Sequence, residues 1–254
     1  TTGPTMTAPR LTPPPLARLI AAIGTPDFAD ALTDAAAEPL KPDAAAFILF
    51  RSTAAPAVLV DRLMPAERGH LYGDYLSGVY LLSPFYRASL GLKQPRAARI
   101  LDIAPEGFSQ SEYHRRYFAL IGVADMLGLL LPARDAVAFL SFSRGAGRPR
   151  FSTREMRAVT ALLPVLAAAV ARHEAIAGSL AGPRSGRPPK PAPATRHKGL
   201  TAREAEVVNL ILEGHSARAV AERLRISLET VRVHRRNVYE KLGVSSQAEL
   251  FHWF

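Results

Sequence analysis

The apolar positions of this chain change period several times, and each change marks a new element. Leu16, Leu19, Ile20 and Ile23 share one helical face after Pro13-Pro14-Pro15, and Gly24 stops that run. Thr25-Pro26 reads as an N-cap followed by proline at the first helical position, which predicts a second helix over Asp27 to Ala37, ended by Pro39 and Pro42. The period then shortens. Ala46 to Phe50 and Ala57 to Val60 are short apolar runs around a small turn, the pattern of a β-hairpin. An aromatic stretch follows, with Leu71, Tyr72, Tyr75, Tyr80, Phe85 and Tyr86 around Ser83-Pro84; it starts as a helix and breaks before Pro84.

Arg99 to Ala104 is a third strand candidate. Ser109 and Glu112 fit a capping box that opens a helix through Leu120, ending near Gly122. Met126 to Leu131 and Ala136 to Phe142 give two more strands, joined by a turn at Pro132 to Asp135. From Ser152 to about Leu180 the period is helical again, with Ser152 and Glu155 as the cap pair. Met156, Val159, Leu163, Leu166 and Val170 form a heptad seam. That seam suits either a helix packed on its own sheet or a dimer helix, and Pro164 predicts a kink or break in it.

Residues 181–199 are rich in Pro, Gly and Arg without apolar period, the mark of an extended basic linker. Beyond it lie four short helices. Thr201 and Glu204 form a capping box, and Val207, Val208, Ile211 and Leu212 make the first stripe before Gly214. Ser216 caps a second helix whose inner face is Val220, Ala221 and Leu224, and Arg225-Ile226 makes a turn. Ser227 caps a third helix from about Leu228 to Leu242, with Gly243 as its stop. A last helix opens at Ser246 with Glu249 three residues on, and carries Leu250, Phe251, Trp253 and Phe254. On the third helix Val231, Val238 and Leu242 face inward, while Glu229, Arg232, Val233 and Arg236 share another face. Arginine can read guanine bidentately and valine can touch a thymine methyl, so this face suits a major groove. The plainer alternative is a small helical bundle with solvated arginines.

Residues 200–250 resemble the C-terminal DNA-binding domain of LuxR/FixJ-type bacterial transcription regulators. The matching text is Leu200-Thr201-x-Arg203-Glu204-x-Glu206-Val207, then Gly214, Ala221, Leu224, Ile226-Ser227, Thr230-Val231-Arg232-x-His234, Asn237 and Lys241-Leu242-Gly243-Val244. The resemblance implies that the third helix is the recognition helix. It makes Arg232, Val233 and Arg236 base-facing, with Glu229 on the same face, and Thr230 and Lys241 phosphate contacts.

The strand order ahead of the linker implies an α+β fold overall. Its N-terminal part is a largely antiparallel five-stranded sheet flanked by helices, as in GAF and PAS sensor domains, and an all-α four-helix helix-turn-helix domain follows. The layout is similar to LuxR-type regulators with a GAF-like first domain. The shared text is Tyr75-x4-Tyr80-x2-Ser83-Pro84-Phe85-Tyr86, Glu112-Tyr113, Gly122-Val123-Ala124-Asp125, Leu140-x-Phe142-Ser143-Arg144 and Leu163-Pro164. Acyl-homoserine-lactone receptors of the wider family use pocket tryptophans and an Asp-Pro pair. Here Trp253 is the one tryptophan and Ser83-Pro84 stands where that pair would be, which speaks against such a lactone. A phosphorelay receiver is also disfavoured: Asp102 has no acidic pair, and no lysine stands directly at the end of the late strands. The domain boundaries expected are a disordered segment over residues 1–15, a sensor and dimerisation domain over 16–180, the linker over 181–199 and the helix-turn-helix domain over 200–254.

Composition sharpens the functional reading. The net charge is +10, which favours an anionic partner. It is unevenly spread: residues 181–199 hold five bases and no acid, whereas residues 200–254 hold eight bases against seven acids. With no cysteine there is no disulfide and no thiolate metal site. The seven histidines are scattered without metal spacing, and no phosphate loop, zinc-protease or nucleophile-elbow motif is present. Neither an enzyme, a metal site nor a cofactor is expected. No uninterrupted apolar run reaches eighteen residues and the Thr/Pro-rich start has no signal core, so no membrane span and a cytoplasmic location are expected.

The expected function is a dimeric regulator binding an inverted-repeat operator in double-stranded DNA, with a small-molecule sensor in front. Candidate ligand residues are Tyr72, Tyr75, Tyr80, Phe85, Tyr86, Tyr113, Arg116 and Phe118, an aromatic lining with one arginine. Each aromatic has a plainer role as core, and the arginine as a solvated surface group. The alternative for the first domain is a protein-interaction or dimerisation module without ligand.

Overall fold

The computed structural model describes residues 14–51, 56–76, 78–111, 113–180, 199–212, 215, 217–245 and 250. Two short helices open the fold, α1 (Pro15–Ala22) and α2 (Phe28–Ala37). Thr25 does not cap α2 as its spacing predicts. Its hydroxyl donates to the Ala22 carbonyl, so it closes α1 instead.

Five strands follow in the chain: β1 (Ala44–Phe50), β2 (Ala57–Arg62), β3 (Arg96–Arg99), β4 (Val123–Pro132) and β5 (Val137–Gly145). They form one sheet in the order β2-β1-β5-β4-β3, with every neighbouring pair antiparallel. This is the expected five-stranded architecture, and the C-terminal region is helical as expected. The third strand, however, lies earlier than its predicted Arg99 to Ala104. Arg96 to Arg99 pairs with Leu127 to Leu130, and the chain then coils into α5 (Ile100–Ile103). The Asp102 carboxylate takes the Arg99 guanidinium back onto this turn, which the apolar pattern alone does not reveal.

Strand alternation sorts the side chains onto two faces. Phe47, Leu49, Leu127, Leu129, Leu131, Leu140 and Phe142 point to one side. There α1, α2 and the long α6 (Thr153–Ala177) cover them in a continuous apolar core. The heptad seam of α6 is the buried one: Val159, Leu163, Leu166 and Val170 lie on the sheet. The helix runs on through Pro164 without a break. Among the described helices α6 is also long and apolar enough to cross a membrane by length and composition. Arg172 and Glu174 interrupt its apolar run, which therefore stays short of eighteen residues.

The other face carries Ala46, Ile48, Phe50, Met126, Leu130 and Phe139, and short pieces cover it. These are α3 (Pro65–His70), a π-helical turn (Leu71–Tyr75), a 3-10 turn (Val79–Leu82), α4 (Pro84–Ser89), a second 3-10 turn (Phe108–Gln110) and a second π-helical turn (His114–Phe118). The predicted continuous helix from Ser109 to Leu120 is thus two separate turns. Ser111 takes the capping role, accepting from the His114 N–H at 3.1 Å, two residues after the predicted cap. Pro84 breaks the aromatic stretch as expected and then starts α4 as its first residue. Gly128 lets Phe85 lie flat on the sheet; a Cβ there would sit 2.4 Å from the Phe85 ring and 2.7 Å from that of Phe139.

Arg144 fastens the two layers. It is 4 % exposed and ends the α6-facing row of β5. Its guanidinium donates to the Leu40, Pro149 and Arg150 carbonyls, lies 4.2 Å over the Phe151 ring and pairs with Glu155 at 2.5 Å. Glu155 is also the N3 carboxylate that accepts from the Ser152 N–H, so the predicted cap pair is anchored to the sheet. The last helices, α7 (Ala202–Leu212), α8 (Ala217–Leu224) and α9 (Leu228–Leu242), have their own core of Val207, Val208, Ile211, Val220, Val231 and Val238. Gly214, Ser216, the Ser246 cap and the final Phe251, Trp253 and Phe254 lie outside the described residues, as do residues 1–13 and 181–198.

Two outcomes follow. Gly128→Ala should lower the unfolding free energy by about 1–3 kcal/mol, the range for overpacking a filled core, with the urea midpoint as the check. The Arg144 hydrogen bonds hold the Glu155 carboxyl down at about 2, below its ordinary 4.5. Since the folded value is the depressed one, the stabilisation is complete above about pH 4.5 and is lost as pH falls toward 2. Glu155→Gln should flatten that acid limb and, by leaving Arg144 buried without its counter-charge, cost about 3 kcal/mol at neutral pH.

Candidate functional site

The reading helix is set up by local chemistry. The Thr201 N–H donates to Glu204 at 2.7 Å and the Glu204 N–H to the Thr201 hydroxyl at 3.3 Å, the predicted capping box. Arg203 reaches from α7 to the Leu224 carbonyl at 2.7 Å, holding the end of α8. Arg225 then takes a left-handed φ of 52°, which turns the chain sharply between α8 and α9. Ser227 accepts from the Thr230 N–H at 3.0 Å and so starts α9, and Gly243 with φ 65° ends it.

On α9, Val231, Val238 and Leu242 are buried. Glu229, Arg232, Val233 and Arg236 are all exposed, on the other side of the helix. The Arg232 guanidinium rests on Glu229 at 3.1 Å, a surface pair that a stronger partner displaces easily. The Thr230 and Ser227 hydroxyls are 2.7 Å apart. Lys241 has an internal duty that spacing did not suggest. Its ammonium donates to both Glu204 oxygens at 2.9 and 2.7 Å, tying α9 to the start of α7. The Lys241 contact, with the Thr201 N–H, holds the Glu204 carboxyl below its usual range. Helical spacing gives no signal for this pair, whose members are 37 residues apart.

In the first unit, the face of the sheet away from α6 collects polar groups. Glu67 is 3 % exposed; its carboxylate accepts from the Met64 N–H at 3.1 Å and from the Ser143 hydroxyl of β5. Tyr75, Tyr113 and Tyr117 are buried beside it, with the Tyr117 ring centroid 4.9 Å from that of Tyr75 and 5.5 Å from that of Tyr113. Burial pushes all three phenols well above their ordinary pKa, so they stay neutral and protonated. These groups, with Phe85, Ser83 and Ser141, line a cavity of about 20 Å³.

Of the eight predicted ligand residues, Tyr75, Phe85 and Tyr113 meet at this cavity. Tyr80 and Tyr86 pack edge to face against each other at 5.1 Å, Tyr86 also against Phe50, beside the cavity rather than in its lining. Burial raises the Tyr80 phenol to about 12. Phe118 packs on Phe108 and His114. Tyr72 is half exposed and its phenol turns to Asp61. The Arg116 side chain lies outside the described residues. Glu67 and Tyr117 were missed, as were the serines. The serines were signalled by the alternation Leu140-Ser141-Phe142-Ser143, which puts two hydroxyls on the face opposite the leucine and phenylalanine.

With Glu204 changed to Gln, α7 and α9 lose their ionic tie. The expected result is a lowered melting temperature for the C-terminal helices by scanning calorimetry, about 1–2 kcal/mol, with no change in the first unit's transition.

Comparison with known proteins agrees with this geometry. Residues 198–254 match the luxR family of bacterial regulatory proteins. A putative HTH-type transcriptional regulator of Aeromonas salmonicida is 28% identical over 183 residues, covering 67% of this chain and 92% of its own length. The transcriptional regulatory protein UhpA of Salmonella typhimurium is 44% identical over 59 residues, 23% of this chain and 30% of that protein. Among solved structures, the LBD domain of VqsR from Pseudomonas aeruginosa superposes with a TM-score of 0.52 at 24% identity, covering 64% of this chain and 95% of that one. That likeness concerns the fold. Residues 198–254 are thus a luxR-family DNA-binding helix-turn-helix domain, and the chain is similar to bacterial transcriptional regulators.

Proposed function

We propose that the protein works in the cytoplasm as a dimer, reads an inverted-repeat operator with α9 and adjusts that binding to a small molecule held by the first domain. The observation that carries the DNA part is the exposed row Arg232, Val233 and Arg236 on a helix whose opposite side buries Val231, Val238 and Leu242. In this reading the two arginines and the valine meet base edges, Glu229 releases Arg232 on docking, and Thr230 and Lys241 touch phosphates. A helix-turn-helix dimer enters successive major grooves, so its two half-sites lie one or more helical turns apart. Support for a sensor role is the aromatic cavity with a few polar groups on one face of the sheet, in a fold shared with the VqsR LBD domain. The domain boundaries are read accordingly: 16–180 for the sensor, 181–199 for the linker and 200–254 for the DNA-binding domain.

A second reading keeps DNA binding but makes the first domain a dimerisation or interaction module. It is favoured by the outer side of α6, where Val165 and Ile176 are about half exposed.

The test is a gel-shift titration on an operator selected from genomic fragments. Arg232→Ala and Arg236→Ala should each weaken operator binding by about 5- to 150-fold, the range for one lost bidentate base contact, and leave the melting temperature unchanged because both side chains are exposed. Parent-like binding by both variants would remove the base contacts assigned to them. The parent's affinity should fall steeply with added salt, as expected for phosphate neutralisation.

A further inference from the structure

The sensor cavity has an imbalance that its packing does not resolve. Glu67 is a carboxylate held nine-tenths or more out of water, and among the described residues no lysine, arginine or histidine pairs with it. It receives two hydrogen bonds, from a backbone N–H and a hydroxyl, but no counter-charge. Burying a carboxylate costs much less when something bound supplies the opposite sign. The surroundings also fit a cation. Tyr75, Tyr113, Tyr117 and Phe85 line the same cavity, and aromatic rings attract a cation through their faces. Ser83, fully buried in the lining, has a hydroxyl with no hydrogen-bond partner among the described residues, although the Tyr75 and Tyr113 phenols lie near it.

The cavity, about 20 Å³, has room for one water, so a ligand must open it. The cover is built to do so. Tyr75 ends one π-helical turn and Tyr117 lies within the other. Such turns carry one residue more than an α-helix and recur at functional sites.

Resting on the sensor reading above, the geometry points to a small organic cation as the ligand: a protonated amine on an aromatic or short apolar body. Its ammonium is held by Glu67 and hydrogen-bonded by Ser83, and its body lies among the tyrosines and Phe85. An anionic or carboxylate-bearing ligand is disfavoured, since it would meet Glu67 with like charge.

The experiment uses the full chain with benzylamine, 2-phenylethylamine and tryptamine, each paired with its neutral alcohol: benzyl alcohol, 2-phenylethanol and tryptophol. Thermal unfolding and calorimetric titration are followed for the parent, Glu67→Gln and Ser83→Ala. The expected result is that at least one amine raises the parent's melting temperature with concentration and binds at least ~10-fold more tightly than its alcohol. Glu67→Gln should lose that margin, with a ligand-free melting temperature equal to or above the parent's because the uncompensated charge is gone. Ser83→Ala should keep the ligand-free stability and bind the amine several-fold more weakly, which serves as the test if Glu67→Gln folds poorly. Equal binding of amine and alcohol, or parent-like amine binding by both variants, would overturn the proposal. So would a response to alcohols without one to amines, and that result would leave the ligand reading standing. No response to either series would overturn it and favour the first domain as an interaction module.

Discussion

The period of two along β5 is the constraint on which the first domain depends. Each residue of this central strand must serve one side of the sheet or the other, and its register is pinned by β1 on one flank and β4 on the other. Ala138, Leu140 and Phe142 join the core under α6, and Arg144 closes that row by binding the helix start. Phe139, Ser141 and Ser143 face the other way, toward Phe85, the tyrosines and Glu67. A slip of one residue would bury the serine hydroxyls under α6 and turn Leu140 into the cavity, so the apolar side fixes the polar side. The apolar face is sealed by the long α6 together with α1 and α2. The face that has polar duties is covered by pieces of three to six residues.

This division explains what was legible in the sequence. The α6 seam, the hairpin of β4 and β5 and the helices α7, α8 and α9 follow simple periods with clear caps, such as Ser152 with Glu155 and Thr201 with Glu204, and the structure has them in place. The cover over the cavity does not follow a period. Its π-helical and 3-10 turns place apolar residues by tertiary fit, so a helix expected from Ser109 became two turns capped at Ser111. The third strand was misplaced because Ile100 and Leu101 look like strand residues, whereas the short run Arg96 to Arg99 carries only alanines between its arginines.

The same limit applies to the sites. On α9 the exposed and buried rows separate by helical spacing alone, so Glu229, Arg232, Val233 and Arg236 could be grouped from the sequence. Pairings between distant residues could not. Lys241 with Glu204 and Ser143 with Glu67 join positions 37 and 76 residues apart. Among the tyrosines, composition singled out the right stretch but could not separate Tyr75 and Tyr113, which reach the cavity, from Tyr72, which faces solvent.

The central claim is that the sheet has one fixed face and one yielding face. Amide hydrogen exchange followed by mass spectrometry on the full chain tests it most directly. Peptides covering residues 71–82 and 108–118 should exchange by local opening well before those covering β1, β5 and α6, which should open only with global unfolding. Equal protection of the two groups would contradict the account, because the cavity would then have no cover able to move.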